Sequence, residues 1–393
     1  MREGWIECPI HELGNSQRPV LKAGPFGSSV TKATYQISGY KVYGQQEVVA
    51  KDVNAGSYFV SETTFKTHRG CAVEPGDILM TMMGTVGRVF RLPENTPEGI
   101  INPRLVRISV DHDRICSKFV EISLEQQWIQ RLLERRSQGG TMPGLNLEAI
   151  ASIKLNIPPI DEQYQIAKIL RTWDEAIEKL NGLRTAYESR LLGLRDALMA
   201  RASRQGRPAC FGDFLTESRI PGSNGATARK ISVRLYGKGT LEKNSSRSGS
   251  ANTRYYRRKT GQIIWSKLDF LNGAFALIGP ELDGCESTLD LPAFDCDPSV
   301  NPAWLIEYLT RPAYYTRQIH LARGQRKARR VAPDDWLASP LRLPDRATQD
   351  HIADILSCAR EELALLDAEI NAVTRQKRGL MQKLLTGVWR VSC

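Results

Sequence analysis

Three clusters of side chains in this chain have the chemistry to grip a phosphate or read a base edge. Arg254-Tyr255-Tyr256-Arg257-Arg258-Lys259 interleaves aromatic rings with cations, a composition suited to phosphate clamping and base stacking. Ser137-Gln138-Gly139-Gly140-Thr141 and Arg323-Gly324-Gln325-Arg326-Lys327, the latter continued by Arg329, set polar and basic side chains beside glycine. Arginine binds guanine in bidentate fashion, and glutamine binds adenine in the same way. A further segment, Gly24-Pro25-Phe26-Gly27-Ser28-Ser29, is a tight glycine-rich turn with two hydroxyls. It lacks the lysine and the spacing of a nucleotide P-loop, so it is not a cradle for ATP. The candidate nucleic-acid contacts are Ser28, Ser29, Gln138, Thr141, Arg254, Tyr255, Arg257, Arg258, Lys259, Arg323, Gln325, Arg326, Lys327 and Arg329, joined by Arg69, Arg88 and Arg104 from the first half.

The charge distribution supports a polyanionic partner. The 393 residues carry a formal charge of +11, and the excess is local. Arg219 to Lys259 holds eleven basic residues against Glu242 alone, and Arg317 to Arg330 holds six with no acid. Chemistry on covalent bonds has no comparable signature. There is no G-x-x-x-x-G-K-[ST], G-x-S-x-G or H-E-x-x-H, and no Glu-x-Lys triplet for a simple Mg²⁺ nuclease core. Asn156-Ile157-Pro158-Pro159 is not the Asn-Pro-Pro-aromatic run that amino-methyltransferases use. Eight cysteines without a C-x-x-C pair, and five histidines, give no zinc pattern and read as reduced thiols. No apolar run approaches the ~20 residues of a membrane helix, and no signal-peptide core opens the chain, so a cytoplasmic location is expected.

The elements that must carry these clusters occur twice. Gln163, Ile166, Ala167, Ile169 and Leu170 each meet the same residue type 186 positions later, at Gln349, Ile352, Ala353, Ile355 and Leu356. A period this long marks a duplicated half-molecule, not a solenoid. Apolar residues then recur at spacings of 4 and 3: Ile166, Leu170, Trp173, Ile177, Leu180, Tyr187, Leu191, Leu194 and Leu198. The second seam runs Ile352, Leu356, Ala359, Leu363, Leu366, Ile370, Val373, Leu380 and Leu384. Arg184 and Lys377 alone break the two seams, and their long stems can lie on apolar surface. Such seams predict two long helices that pair antiparallel, because either one alone would leave its stripe in water. Proline precedes each helix, and Gly387 fits a left-handed cap after the second.

Between the helices the pattern is mixed α/β. Gly76–Met82, Val86–Phe90 and the alternating Leu105–Val110 read as strands, the last half-buried, and Gly261–Ser266 follows Gly76 by 185 residues. Ser117–Leu124 and Ala303–Thr310 are helices in the same register, the second with Asn301 as N-cap and Pro302 in the first turn. The fold class is therefore α/β (α+β): two globular mixed α/β domains separated by a long antiparallel two-helix coiled coil, with a pseudo-twofold internal repeat. The expected boundaries are 1–157 for the first domain and 158–202 for the first long helix. The second domain spans 203–342 and opens on the polar linker Ser203–Pro208; the second helix covers 343–388 and a tail 389–393. Similar scaffolds with diverged loops suggest two different targets.

Taken together, these residues resemble the specificity subunit of type I restriction-modification systems. The matching runs are Gly24-Pro25-Phe26-Gly27-Ser28, Gly76-Asp77-Ile78-Leu79, Asn102-Pro103-Arg104-Leu105, Gly144-Leu145-Asn146, Ile157-Pro158-Pro159 with Glu162-Gln163, and Gln376-Lys377 with Leu380–Gly387. The second half departs most: it has no Gly-Pro-Phe-Gly turn, and Pro344-Asp345-Arg346 replaces the paired prolines. The resemblance implies two target-recognition domains, each reading half of a bipartite, asymmetric double-stranded DNA site. It implies a helix pair that sets the gap and docks two methyltransferase subunits, with motor-nuclease subunits completing the complex around a single copy of this chain. It also implies a non-catalytic chain that binds no cofactor itself. S-adenosylmethionine belongs to the methyltransferase partners, and ATP and Mg to the nuclease partners. The rival expectations are a stand-alone DNA methyltransferase or nuclease with a divergent site, and a coiled-coil adaptor without sequence preference.

Overall fold

The computed structural model describes residues 4–15, 17–25, 30, 32–137, 144–243, 250–324 and 329–391. The chain forms two compact units, Met1–Lys179 with Ile370–Cys393, and Leu180–Glu369. Each unit therefore takes a piece of both long helices, which run from Ile160 to Gln205 and from Arg346 to Leu385. The first helix runs on into the expected linker Ser203–Pro208 as far as Gln205. It breaks only at Gly206, and the strand Arg207–Cys210 begins at once.

In the first unit, Ile6–Pro9 pairs antiparallel with Lys154–Ile157, directly ahead of the first long helix. A four-stranded sheet has the order Leu21–Ala23, Leu105–Ile108, Ile78–Thr81, Val89–Arg91. The strand Leu105–Ile108 is buried along its whole length, not half-buried as its alternation suggests. Alternate residues serve two separate cores. Val106 and Ile108 join Ile78, Met80 and Phe119, whereas Leu105 joins Leu79, Phe90 and Tyr43. A sheet covered on both faces cannot show a polar side, and here the alternation separates two apolar environments. A second sheet of the first unit orders Phe59–Val60, Tyr40–Tyr43 and Gly99–Ile101.

The second unit repeats this plan. Arg207–Cys210 pairs antiparallel with Pro340–Leu343 ahead of the second long helix. Its four-stranded sheet has the order Leu215–Ser218, Ala293–Cys296, Ile263–Trp265, Phe275–Leu277. A three-stranded sheet orders Pro221–Asn224, Arg254–Arg257 and Glu286–Ser287. The core is aromatic: Trp265 stacks on Phe294 with ring centres 5.9 Å apart, and Phe211 stacks on Trp336 at 4.8 Å. The buried indole N–H of Trp336 donates to Tyr314 Oη at 2.8 Å, which offsets the cost of taking a polar group out of water.

The repeated glutamine is the joint in each unit. Gln163 is fully buried; its Oε1 accepts from Cys116 N at 2.8 Å, and its Nε2 donates to Pro158 O and Arg114 O at 2.8 and 3.1 Å. Gln349 is equally buried and reproduces the set: its Oε1 accepts from Asn301 N at 2.7 Å, and its Nε2 donates to Pro344 O and Ser299 O at 2.9 and 3.1 Å. Cys116 and Asn301 are the N-caps of Ser117–Leu124 and Pro302–Leu309, so one amide ties the start of a long helix to the start of a domain helix. Asn301 Oδ1 in turn accepts from Ala303 N and Trp304 N, the cap expected from its position before proline.

The helix segments run antiparallel within each unit. In the first, Ile166 and Leu170 share a core with Leu380, Leu384 and Leu385, and Lys377 pairs with Asp174. In the second, Leu191, Leu198 and Met199 share a core with Ile352 and Leu356, and Arg184 Nε donates to Asp367 Oδ1 at 2.5 Å. The two charged interruptions of the seams are thus interhelical ion pairs. Trp173, Ile177, Leu180, Leu194, Leu363, Ile370 and Val373 are half-buried, Leu366 is buried, and Tyr187 lies on the open edge. Gly387 caps the second helix with φ +64° as expected, and Arg390 beyond it reaches the buried Glu162 at 2.9 Å.

Replacing Gln163 with leucine leaves one buried N–H without an acceptor and two carbonyls without that donor. We expect a loss of about 3 kcal/mol in urea unfolding, with a similar loss for Gln349→Leu.

Candidate nucleic-acid interface

Four segments converge at one end of the first unit's four-stranded sheet. The strand Ile78–Thr81 runs on into Met82-Met83-Gly84. Met82 N donates to Arg104 O at 2.8 Å, and Leu145 N donates to Met82 O at 2.8 Å. The turn at Asn102-Pro103-Arg104 therefore lies on one side of Met82 and the segment at Gly144-Leu145 on the other. Gly24 completes the rim, its N–H donating to Leu105 O at 3.0 Å. A Cβ at Gly24 would stand 1.9 Å from Asn102 O, so only glycine permits this approach. The Gly-Pro and Asn-Pro-Arg runs, some 80 residues apart in sequence, are one surface.

A fifth segment, the short helix Gln45–Ala50, joins these four. Glu47 Oε2 accepts from Gly44 N at 2.9 Å and fixes its start. Gln45 Nε2 donates to Met83 O, and Arg104 Nη1 points at Gln45 Oε1 across 3.4 Å. A recess of about 360 Å³ opens here between Gln45, Gln46, Tyr35, Tyr58, Asn102 and Arg104. Tyr35 and Tyr58 stack beside it at 4.6 Å. A glutamine and an arginine side by side over aromatic rings offer hydrogen bonds to adenine and guanine edges. Sequence reading found Arg104 but missed Gln45 and Gln46, because their closeness depends on strand pairing.

The second unit builds the same rim from different side chains. Lys267 N donates to Asp290 O at 2.9 Å, and Val331 N donates to Lys267 O at 3.0 Å. These bonds match those of Met82, so Asp290 occupies the place of Arg104, 186 residues on. Asp290 is held by Arg330 at 2.7 Å. The backbone is repeated and the charge presented there is reversed.

The other sequence candidates distribute unevenly. Ser28, Ser29, Gln138, Thr141, Gln325, Arg326 and Lys327 lie outside the described residues. Arg69 is exposed in the turn Arg69–Cys71, whose neighbours line a groove with Gly24 and Pro25. Arg88 is exposed on the turn before Val89–Arg91 and faces a different recess, with Lys51 and Glu125. Arg254 and Arg257 are exposed on the strand Arg254–Arg257, with Lys230 Nζ 5.9 Å from the Tyr255 ring centre, and Lys259 is exposed just beyond. Arg323 is exposed but paired with Asp335 at 2.8 Å, and Arg329 is exposed.

Arg258 must be removed from the contact set. It is fully buried, and its guanidinium donates to Ser287 Oγ at 2.8 Å, Ser218 O at 2.7 Å and Leu291 O at 3.2 Å. Burial pushes its pKa down to about 10, with Glu217 opposing that shift, so it stays charged at neutral pH. Its role is to tie three loops together. Arg107 of the first unit does comparable work, donating to Gly70 O at 3.2 Å, and burial lowers its pKa as well. Among the described residues, no set of His, Cys, Asp and Glu side chains gathers to hold a metal. Among the same residues, no helix is long and apolar enough to cross a membrane.

Comparison with known proteins agrees with the resemblance read from the residues. Residues 25–186 match the family described as Type I restriction modification DNA specificity domain. The Type I restriction enzyme MjaVIII specificity subunit of Methanocaldococcus jannaschii is 26% identical over 147 residues, 37% of this chain and 32% of that protein. The aligned region spans about a third of that curated relative. Among solved structures, a chain from work on complex assembly and conformational transition of the type I R-M system superposes with a TM-score of 0.64, at 14% identity and 98% coverage of both chains. The HsdS subunit from Thermoanaerobacter tengcongensis gives 0.54 at 13%, covering 98% of both chains. The type I S subunit from M. genitalium gives 0.52 at 15%, covering 97% of this chain and 96% of that one. At these identities the likeness is one of fold.

The two neighbouring arginines separate under mutation. Arg258→Ala removes the one guanidinium that donates to Ser218 O, Leu291 O and Ser287 Oγ in the core, and should lower stability by about 3 kcal/mol in urea. Arg257→Ala should leave the unfolding midpoint unchanged. It should reduce the slope of log binding constant against log salt by about 0.9, measured by DNA titration at several salt concentrations.

Proposed function

We propose that this chain is the DNA specificity subunit of a type I restriction-modification complex, each unit reading one half of a bipartite, asymmetric double-stranded site. The observation that carries this reading is the rim built twice on one backbone plan with different side chains. Arg104 beside Gln45 in the first unit and the Arg330-held Asp290 in the second offer different hydrogen-bond patterns to DNA. One unit then selects bases that the other does not. The long helices carry no base-reading rim of their own, and their role is to hold the gap between half-sites constant. Two modest half-site affinities joined by a stiff spacer give tight binding only at the matching distance.

On this reading the chain performs no covalent chemistry. It acts in the cytoplasm as a single copy, docking two methyltransferase subunits, which bind S-adenosylmethionine, and motor-nuclease subunits, which use ATP and Mg²⁺. A stand-alone methyltransferase or nuclease would need a catalytic constellation, and none was found in the sequence.

Single-molecule methylome mapping of the host with and without this gene tests the reading. We expect a bipartite adenine-methylation motif that disappears with the gene; its persistence would overturn the assignment. Removing one heptad from each long helix should shorten the recognised gap by about three base pairs, since seven residues rise about 10 Å. Unchanged spacing in the methylome would refute the spacer role.

A further inference from the structure

Met83 and Leu268 occupy equivalent places in the two units. Each directly follows the residue, Met82 or Lys267, whose N–H donates to the rim turn and whose carbonyl accepts from Leu145 or Val331. Both are large and apolar, and both are left open, Met83 at 45% and Leu268 at 46% exposure. Their surroundings have diverged: Arg104 is replaced by Asp290, and Met82 by Lys267. An apolar side chain held in water at the same point of two diverged rims has no packing role in either core, since neither residue belongs to an apolar cluster of its unit.

Its neighbours define what it can meet. Met83 O accepts from Gln45 Nε2, and Gln45 Oε1 faces Arg104. Glutamine and arginine distinguish bases through acceptor and donor patterns on the major-groove edge, where the one methyl group of any base pair is the thymine 5-methyl. We infer that Met83 and Leu268 are specificity-determining residues that each receive a thymine methyl, one in each half-site. This rests on the reading of the chain as a bipartite DNA reader. An alternative use of an exposed apolar side chain, wedging between base steps, belongs to minor-groove binders that kink DNA. Minor-groove edges carry no methyl group, so that arrangement predicts bent DNA and no difference between thymine and uracil.

The test uses the full chain assembled with its methyltransferase subunits on the site found by methylome mapping. Each thymine is replaced in turn by uracil, which lacks only the methyl. One position per half-site should weaken binding by about fourfold, the value of one buried methyl. Met83→Ala should abolish the thymine–uracil difference in one half-site and Leu268→Ala in the other, whereas Met83→Leu and Leu268→Met should retain it. Uracil tolerated at every position, or discrimination that survives both alanine variants, would overturn the inference while leaving the bipartite reading intact. A loss of sequence-specific binding by the unsubstituted chain would instead mean that the bipartite reading itself has failed, and this inference with it. Distorted or kinked DNA with no methyl dependence would replace the methyl contact by a wedge.

Discussion

A buried primary amide governs each half of this molecule. Where a long helix leaves a globular unit, the backbone just ahead of it and the backbone at the start of the neighbouring domain helix need partners in a region closed to water. Gln163 and Gln349 meet that need with one acceptor and one donating NH₂ group spread over three backbone atoms. A carboxylate could accept but not donate, and a lysine could donate but not accept. A hydroxyl or a neutral imidazole does both but brings one hydrogen for two carbonyls, whereas an amide satisfies all three groups from one position. The angle at which each long helix leaves its unit is therefore set by chemistry that tolerates little substitution, while the loops at the rim are free to change.

That division explains how much of the molecule could be read from the sequence. The long helices follow from a local period, and their ion-paired interruptions sit where charge breaks the apolar seam. Asn301-Pro302 and Gly387 are likewise local signals with one stereochemical meaning. Identity at Gln163 and Gln349 was visible, but its reason was not, since the groups they satisfy lie about 50 residues upstream as well as at the preceding proline. Arg258 misled because a run of aromatics and cations looks like surface. Strand alternation sends every second side chain inward, and Tyr256 two residues earlier lies 5.8 Å from its guanidinium.

The rim was the least legible part for a related reason. Gln45, Met83, Arg104 and Gly144 are separated by tens of residues and meet only because strands pair in a particular register. Composition along the chain marks a loop as polar or basic, but proximity decides whether two polar groups can address the same base pair. The duplication supplies the missing evidence internally. Where two copies share hydrogen bonds yet differ in side chain, the shared part is support and the differing part is address.

The division of the chain into units also has a consequence for synthesis. The second unit is contiguous, Leu180–Glu369, whereas the first needs its opening 179 residues and also the closing stretch Ile370–Cys393. Leu384 and Leu385 lie in the first unit's apolar core, and Arg390 answers the buried Glu162. The half that leaves the ribosome first is thus finished only after the second, waiting with an open core and an unanswered carboxylate until Leu384, Leu385 and Arg390 follow. Losing the stretch from Leu384 to Arg390 harms the part of the chain made first, not the part made beside it.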